Sequence, residues 1–143
     1  MKMMGDIREI VGQRLLSVSG ALQDDPPPKT ARYDCIVLRL SESVVEIRWT
    51  DDAEIAYYIH EVDAQLPEVP ECTWIPIALR GVGDPDHDMV VWVWDCVNNL
   101  DARDLLMFAL NNDELTFGII AGGGCNLQVV DVRIRDSAVV SLT

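Results

Sequence analysis

Hydrophobic and polar residues alternate along most of the chain, in short runs that turn-forming residues separate. Val, Ile, Trp and Tyr are frequent in these runs, whereas Asp, Ser, Pro and Gly cluster between them. This arrangement is typical of antiparallel β-strands joined by turns. It predicts nine strands, at residues 14–22, 34–40, 44–50, 54–60, 73–79, 89–97, 104–111, 115–121 and 127–134.

A short helix is predicted before the first strand. Asp6 can cap the free amides of a first helical turn, and Glu9 stands at the reciprocal position of a capping box. Ile7 and Ile10 form an apolar stripe, and Gly12 is a typical residue at which a helix ends.

The segment LDARDLLMFALNN, at 100–112, fits two structures. Leu105, Leu106 and Ala109 recur at helical spacing, and Asp101 could cap such a helix. An internal comparison favours a strand instead. Residues 33–63 and 103–133 align without a gap and share the order of strand, polar turn, strand, small turn and strand.

This comparison predicts two four-stranded pseudo-repeats, at 12–63 and 80–134, which 64–79 joins. Two unrelated β-meanders would share the same pattern, so both interpretations stay open. The chain is predicted to be one domain, 1–143, of mainly β structure, or α+β if 101–111 is helical. We expect an antiparallel meander that forms a sandwich or a strongly bent sheet.

Negative charge dominates the composition. The chain has 11 basic and 24 acidic residues, and its formal net charge is −13. Twelve acidic residues and one basic residue, Arg80, lie between 51 and 101, so this stretch contributes −11 of that charge. Such an excess disfavours nucleic acids and anionic membranes by Coulomb repulsion. It favours a basic protein partner, although an acidic stretch is also the ordinary composition of a solvated surface.

The apolar segments and cysteines indicate a cellular setting. No apolar run approaches the roughly 18 residues that a membrane span needs. The opening MKMMGDIREIVGQ has charged residues where a signal peptide has an apolar block, so a cytoplasmic location is expected. The cysteines at 35, 72, 96 and 125 lack the C-x-x-C spacing of zinc and redox sites, so we expect reduced, mostly buried thiols.

The stretch GDPDHD, at 83–88, raises the question of a metal site. Asp84, Asp86 and Asp88 have the spacing of the first three ligands of a calcium loop. The match ends at Met89, which stands where the sharp turn of such a loop requires glycine. A polar turn is therefore the favoured interpretation, because Gly, Pro and Asp are all turn formers.

Two other motifs fail as catalytic or cofactor sites. The glycines at 122–124 precede an alternating strand pattern rather than the helix that a phosphate-binding loop requires. His60 and His87 are the only histidines, and neither belongs to a known nucleophile motif. We therefore predict no enzymatic activity, no cofactor and no bound metal.

Strand 89–97 is apolar on both faces except at Asp95. Trp92 and Trp94 share one face with Val90, whereas Val91 and Val93 share the other. A strand of this composition is typical of a sheet centre that is covered on both sides, so both tryptophans are predicted in the core. The alternative is that one tryptophan lies beside the acidic turn as a binding anchor.

A resemblance to a known class of protein comes from two segments. GQRLLSV, at 12–18, and WDCVNNLDARDLLMFAL, at 94–110, resemble small strand-rich bacterial immunity proteins of toxin systems. The resemblance implies a stoichiometric inhibitor of a cognate toxin, without catalytic residues. An acidic inhibitor suits a basic toxin such as a nuclease, because its carboxylates can occupy a groove that otherwise binds phosphates.

We therefore predict an acidic protein-binding module with a basic protein as its partner. The residues predicted to contact the partner are Asp51, Asp52, Glu54, Tyr57, Tyr58, Glu61, Asp63, Asp84, Asp86 and Asp88. Three other classes stay open: an acidic secretion or assembly chaperone, a homo-oligomeric protein such as a homodimer, and a small metal-dependent hydrolase.

Overall fold

The computed structural model describes residues 6–23, 32–50, 54–111, 115–122 and 126–131. Within these ranges the chain forms a 3-10 helix (Ile7–Ile10) and nine strands. The strands are β1 (Leu15–Gln23), β2 (Tyr33–Leu40), β3 (Val44–Trp49), β4 (Ile55–His60), β5 (Cys72–Pro76), β6 (Val90–Val97), β7 (Arg103–Leu110), β8 (Leu115–Gly122) and β9 (Asn126–Asp131). The mainly β fold and its short N-terminal helix are confirmed, and 101–111 contains a strand rather than a helix. None of the described helices is long and apolar enough to cross a membrane.

All nine strands belong to one antiparallel sheet. Its main path runs β4-β3-β2-β9-β8-β7-β6, and β1 pairs with both β2 and β5. Strands β1 to β4 form one meander and β6 to β9 form a second, and the two meet where Tyr33 of β2 pairs with Leu127 of β9. The sheet curls into a half-barrel, which confirms the predicted strongly bent sheet. An origin of the two meanders by duplication stays a prediction.

A single large apolar core fills the half-barrel. Phe108 of β7 and Phe117 of β8 pair directly across the two strands, and their rings stack with centroids 4.7 Å apart. The fully buried aliphatic side chains around them include Ile7, Ile10, Leu15, Ile36, Leu38, Leu40, Ile47, Ile55, Leu106 and Ile119. Each such side chain stabilises the fold by about 1.5–3 kcal/mol relative to exposure.

The N-terminal helix closes one part of this core. The Asp6 carboxylate accepts a hydrogen bond from the backbone N–H of Arg8, as predicted for a helix cap. Gly12 has φ +94°, a left-handed conformation that glycine adopts without a side-chain clash. The chain then lies beside β6, where the Gly12 N–H donates to the Val90 carbonyl and the Val90 N–H donates to the Gln13 carbonyl.

The segment predicted as a linker, 64–79, contains β5, which pairs with β1, and its first part, 64–71, covers the outer face of β1 to β3. A second apolar cluster there includes Ala21, Cys35, Val37 and Val44, and Val69 packs onto it. This first part is attached to β5 by Trp74, whose indole N–H donates to the Pro67 carbonyl, and to β2 by Arg39, whose guanidinium donates to the Ala64 carbonyl. This covering layer explains why β2 is buried on both faces.

The cysteines of the described part are unbridged. Cys35 is buried, whereas Cys72 and Cys96 are half-buried. The expectation of mostly buried thiols therefore holds for Cys35 alone, and Cys125 lies outside the described residues.

The prediction of β6 as a covered central strand is wrong. β6 is the last strand of the main path, and the side chains of Trp92 and Trp94 are 45% and 37% exposed. A bulge at Val91 changes the alternation, because Val90 pairs with Leu110 but Trp92 pairs with the next residue, Ala109. Both tryptophans therefore point outward.

Candidate functional site

The acidic stretch 83–88 forms a compact turn before β6. The Asp84 carboxylate accepts hydrogen bonds from the Asp86 backbone N–H, at 3.1 Å, and from Nδ1 of His87, at 2.8 Å. The His87 contact, followed by the Asp86 N–H, lowers the pKa of Asp84 below its usual value. Asp84 thus stabilises the turn through its charged form, and Asp86 lies exposed beside it.

Asp88 has a different role from its two neighbours. Its side chain is fully buried, and its two carboxylate oxygens accept from Nε and Nη2 of Arg14, at 3.1 and 2.9 Å. Its backbone carbonyl accepts from the Leu15 N–H. Asp88 therefore fastens the acidic turn to the start of β1, and it offers no exposed carboxylate to a partner.

Four of the predicted contact residues remain exposed at one end of the half-barrel, and a fifth acid joins them. His60, the last residue of β4, pairs with Val44 of β3. The turn before β3 is bonded to the start of β1 through Ser41 and Arg14, and β1 is bonded in turn to Gly83. We call the exposed carboxylates along this end the acidic rim: Glu42, Glu61, Asp63, Asp84 and Asp86.

Glu54 lies away from this rim. It precedes β4, whereas Glu61 follows it, and the six residues of β4 between them place the two roughly 23 Å apart along the strand. The Glu54 carboxylate accepts from the backbone N–H of Arg103, so it links β4 to β7. Glu54 therefore stabilises the fold and does not belong to the acidic rim.

The two predicted tyrosines point to opposite faces of β4, as expected for neighbours in a strand. The Tyr57 hydroxyl accepts from the Ile7 N–H, and the Arg103 guanidinium lies 4.8 Å from the centre of its ring. Tyr58 is half-buried on the other face, opposite Glu46 of β3. The remaining predicted contacts, Asp51 and Asp52, lie outside the described residues.

A pocket of about 380 Å³ opens beside the acidic turn. Its lining includes Asp84, His87 and Arg80 together with Leu110 and Asn111 from the end of β7 and the turn after it. Its walls carry charges of both signs and one apolar side chain. Such a concave surface next to a charged rim can receive one protruding side chain of a partner.

A second cleft, of about 610 Å³, lies along β6 and was not predicted from the sequence. Trp92, Trp94 and Tyr57 contribute its aromatic side chains, and Asp95 accepts from Nε of Arg103 at 2.5 Å. A second ion pair, between Arg8 and Asp6, lies at its border. The two ion pairs balance, so this cleft lacks the excess of negative charge found on the acidic rim.

A buried carboxylate on the outer face of β3 was also missed. Glu46 is 2% exposed, and its oxygens accept from Nε of Arg48 and contact Nε2 of His60 at 3.0 Å. Arg48 thus compensates the charge of Glu46, and His60 provides a second polar contact. The alternation of β3 places Glu46 and Arg48 on the same face, but the contact with His60, 14 positions away, depends on the folded chain.

Metal binding gains no support from this geometry. Within the described ranges, no three His, Cys, Asp or Glu side chains are placed to hold one ion. The three carboxylates at calcium-like spacing have different surroundings. Asp84 stabilises the turn, Asp86 is exposed, and Asp88 forms a buried ion pair. The polar-turn interpretation of GDPDHD agrees with these contacts.

Comparison of the chain with family models, with curated proteins and with solved structures gives no significant match.

Proposed function

We propose that this protein is a binding module that docks a basic protein through its acidic rim. The observation that carries the proposal is the position of five exposed carboxylates along one end of the half-barrel, in a chain of net charge −13. Clustered charge of one sign steers an oppositely charged partner during diffusion and raises the association rate.

The rim is suited to binding because its shape is set before a partner arrives. Asp84 stabilises the turn through the Asp86 N–H and His87, and the Arg14–Asp88 pair fastens the same turn to β1. The backbone that carries Asp84 and Asp86 is therefore already ordered when a partner arrives, which lowers the entropic cost of association. Glu42 is held in a similar way, since its backbone N–H donates to Oε1 of Gln13.

The acidic rim would provide ion pairs with the partner, and the neighbouring pocket would provide a desolvated contact. Single exposed ion pairs contribute only about 0–1 kcal/mol each, so several are needed for a stable complex. A side chain inserted between His87 and Leu110 would add desolvated contact near the centre of the interface. Both contributions fit a partner with a basic surface and at least one protruding side chain.

The more specific form of the proposal is an immunity-type inhibitor of a basic toxin such as a nuclease. The resemblance of 12–18 and 94–110 to small immunity proteins supports it, as does the acidic charge. A nuclease needs a basic groove for phosphates, and a carboxylate rim can occupy such a groove in place of nucleic acid. Inhibition would then follow from occlusion and would require no catalytic group.

The test uses two variants with the same change in net charge. In the rim variant, Glu61, Asp63 and Asp86 are replaced by Lys; in the control, the exposed Glu9, Glu68 and Glu71 are replaced by Lys. Wild type and both variants are immobilised, exposed to lysate of the source cells at low ionic strength, and eluted with salt. We expect wild type and control to retain the same basic protein and the rim variant to lose it. Retention by all three, or by none, would contradict the proposal.

A further inference from the structure

The pocket beside the acidic turn contains an arginine that the charge of the acidic rim does not explain. Arg80 is the one basic residue between 51 and 101, where the chain has twelve acidic ones. It is exposed, and it lines the pocket of about 380 Å³ together with Asp84 and His87. A positive charge here weakens the field that attracts a basic partner. Arg80 therefore calls for an explanation other than the field.

The backbone that carries Arg80 is ordered and packs against the pocket. A hydrogen bond of 3.3 Å between backbone N–H and carbonyl closes a reverse turn at 79–82. Gly81 has φ +87° in this turn, a conformation that favours glycine. A Cβ atom at Gly81 would lie 3.1 Å from the His87 carbonyl oxygen and 3.7 Å from Cδ1 of Leu110. The turn thus holds the base of the Arg80 side chain at the pocket wall.

The guanidinium of Arg80 lacks a partner within the described ranges of the chain. The carboxylate of the pocket lining, Asp84, already accepts from the Asp86 N–H and from Nδ1 of His87. No hydrogen bond, ion pair or ring contact with a described residue involves Arg80. By contrast, a carboxylate partner is present for each of Arg8, Arg14, Arg48 and Arg103. The pocket therefore holds an uncompensated positive charge inside an acidic surface.

We propose that this pocket binds the carboxylate of an aspartate or glutamate side chain on the basic partner, and that Arg80 pairs with it. The inference rests on the proposed function and specifies which side chain the partner inserts. A guanidinium presents its N–H donors in one plane and pairs with a carboxylate through parallel hydrogen bonds. Asn111 lines the same pocket and can donate a further hydrogen bond, while Leu110 provides apolar contact to the methylene groups.

Charge distinguishes this occupant from the alternatives. A lysine or arginine inserted into the pocket would meet Arg80 at close range, and like charges repel. A small free anion is repelled by the net charge of −13 before it reaches the pocket. A carboxylate on a basic protein avoids both obstacles, because the surrounding basic surface is attracted to the acidic rim. A basic protein without this carboxylate would bury Arg80 unpaired, so the pocket adds specificity to the attraction of the rim.

The first test measures the affinity for the basic protein that wild type captures. Arg80→Gln and the control Arg32→Gln each remove one positive charge. Arg32 precedes β2, whereas the rim residue Glu42 follows the other end of that strand. If the field alone decided affinity, both variants would bind more tightly than wild type. We expect Arg80→Gln to bind at least about tenfold more weakly, and Arg32→Gln to bind as tightly as wild type or slightly more tightly. Far-UV circular dichroism establishes that both variants keep the fold.

The second test identifies the carboxylate by a double-mutant cycle. Aspartates and glutamates of the partner are replaced one at a time by their amides. We expect one replacement to weaken binding to wild type and to leave binding to Arg80→Gln unchanged. Equal losses for both proteins at every position, or an Arg80→Gln affinity equal to or above that of wild type, would overturn the inference while the proposed function stands. Capture of no basic protein by wild type would contradict both.

Discussion

Arg14 and Asp88 form a two-pronged ion pair in which the guanidinium is 43% exposed and the carboxylate is fully buried. The two residues are 74 positions apart, and their pair holds the acidic turn against the start of β1. Arg14 is in contact with water and Asp88 is not. Removing Arg14 therefore has a different consequence from removing Asp88. Without Arg14, a carboxylate is left in the interior without its counter-charge.

We therefore expect Arg14→Ala to lower the melting temperature by roughly 5 °C or more. Arg8→Ala is the matched control, because Arg8 pairs with an exposed carboxylate, Asp6, and exposed pairs contribute little. The measurement is thermal unfolding at neutral pH followed by circular dichroism. Equal melting temperatures for the two variants would show that the Asp88 pair has no special role.

A second expectation concerns the close approach of Gly20 to Tyr33. A Cβ atom at Gly20 would lie 2.3 Å from Cδ1 and 2.6 Å from Cε1 of the Tyr33 ring, and 2.9 Å from Cδ1 of Ile77. Tyr33 is 6% exposed and pairs with Leu127 where the two meanders meet, so its ring has little room to move. Gly20→Ala should cost about 1–3 kcal/mol of unfolding free energy.

Gly118→Ala provides the comparison within another strand. Its added Cβ would meet nothing closer than 3.4 Å, at the Leu106 carbonyl oxygen, which is ordinary contact. We expect a change within about 1 kcal/mol. Urea unfolding midpoints separate the two cases, and a Gly118→Ala loss as large as that of Gly20→Ala would contradict this packing.

A third expectation concerns the pH dependence of the N-terminal cap. The side-chain hydrogen bond from Arg8, followed by the Arg8 backbone N–H, lowers the pKa of Asp6 from 3.8 to about 2. Because the pKa of the folded state is the lower one, the contact stabilises the fold fully above pH 3.8. That stabilisation is lost as the pH falls through about 2.

An NMR titration of the side-chain carboxyl carbon tests this directly. We expect a midpoint of about 2 for Asp6 in wild type and an increase toward 3.8 in Arg8→Ala. A wild-type midpoint near 3.8 would mean that the cap is not formed in solution.

The strands could be predicted because each is a short local pattern. Every run rich in β-branched residues is bounded by turn formers, and the 31-residue comparison favoured a strand at 101–111, where β7 lies. The neighbours of a strand are not local. The bulge at Val91 and the position of β6 at the end of the sheet depend on pairing with Leu110 and Ala109, so the exposure of Trp92 was predicted wrongly.

For the candidate site as well, local features could be predicted from the sequence and long-range contacts could not. The sequence indicates where carboxylates are dense, but it does not indicate which of them have partners inside the fold. Asp88 meets Arg14 across 74 positions, and Tyr57 meets Ile7 across 50. Within the described part of the chain, no such long-range contact buries Glu61 or Asp86, so their exposure matches the expectation from composition.

The central claim, that the acidic rim binds a basic protein, is tested most directly by the salt dependence of affinity. The dissociation constant of the captured complex is measured at several salt concentrations for wild type and for Glu61→Lys/Asp63→Lys/Asp86→Lys. We expect wild-type affinity to fall steeply with salt, and the variant to bind roughly ten- to hundredfold more weakly at low salt with a flatter dependence. Equal affinities and equal slopes for the two proteins would contradict the claim.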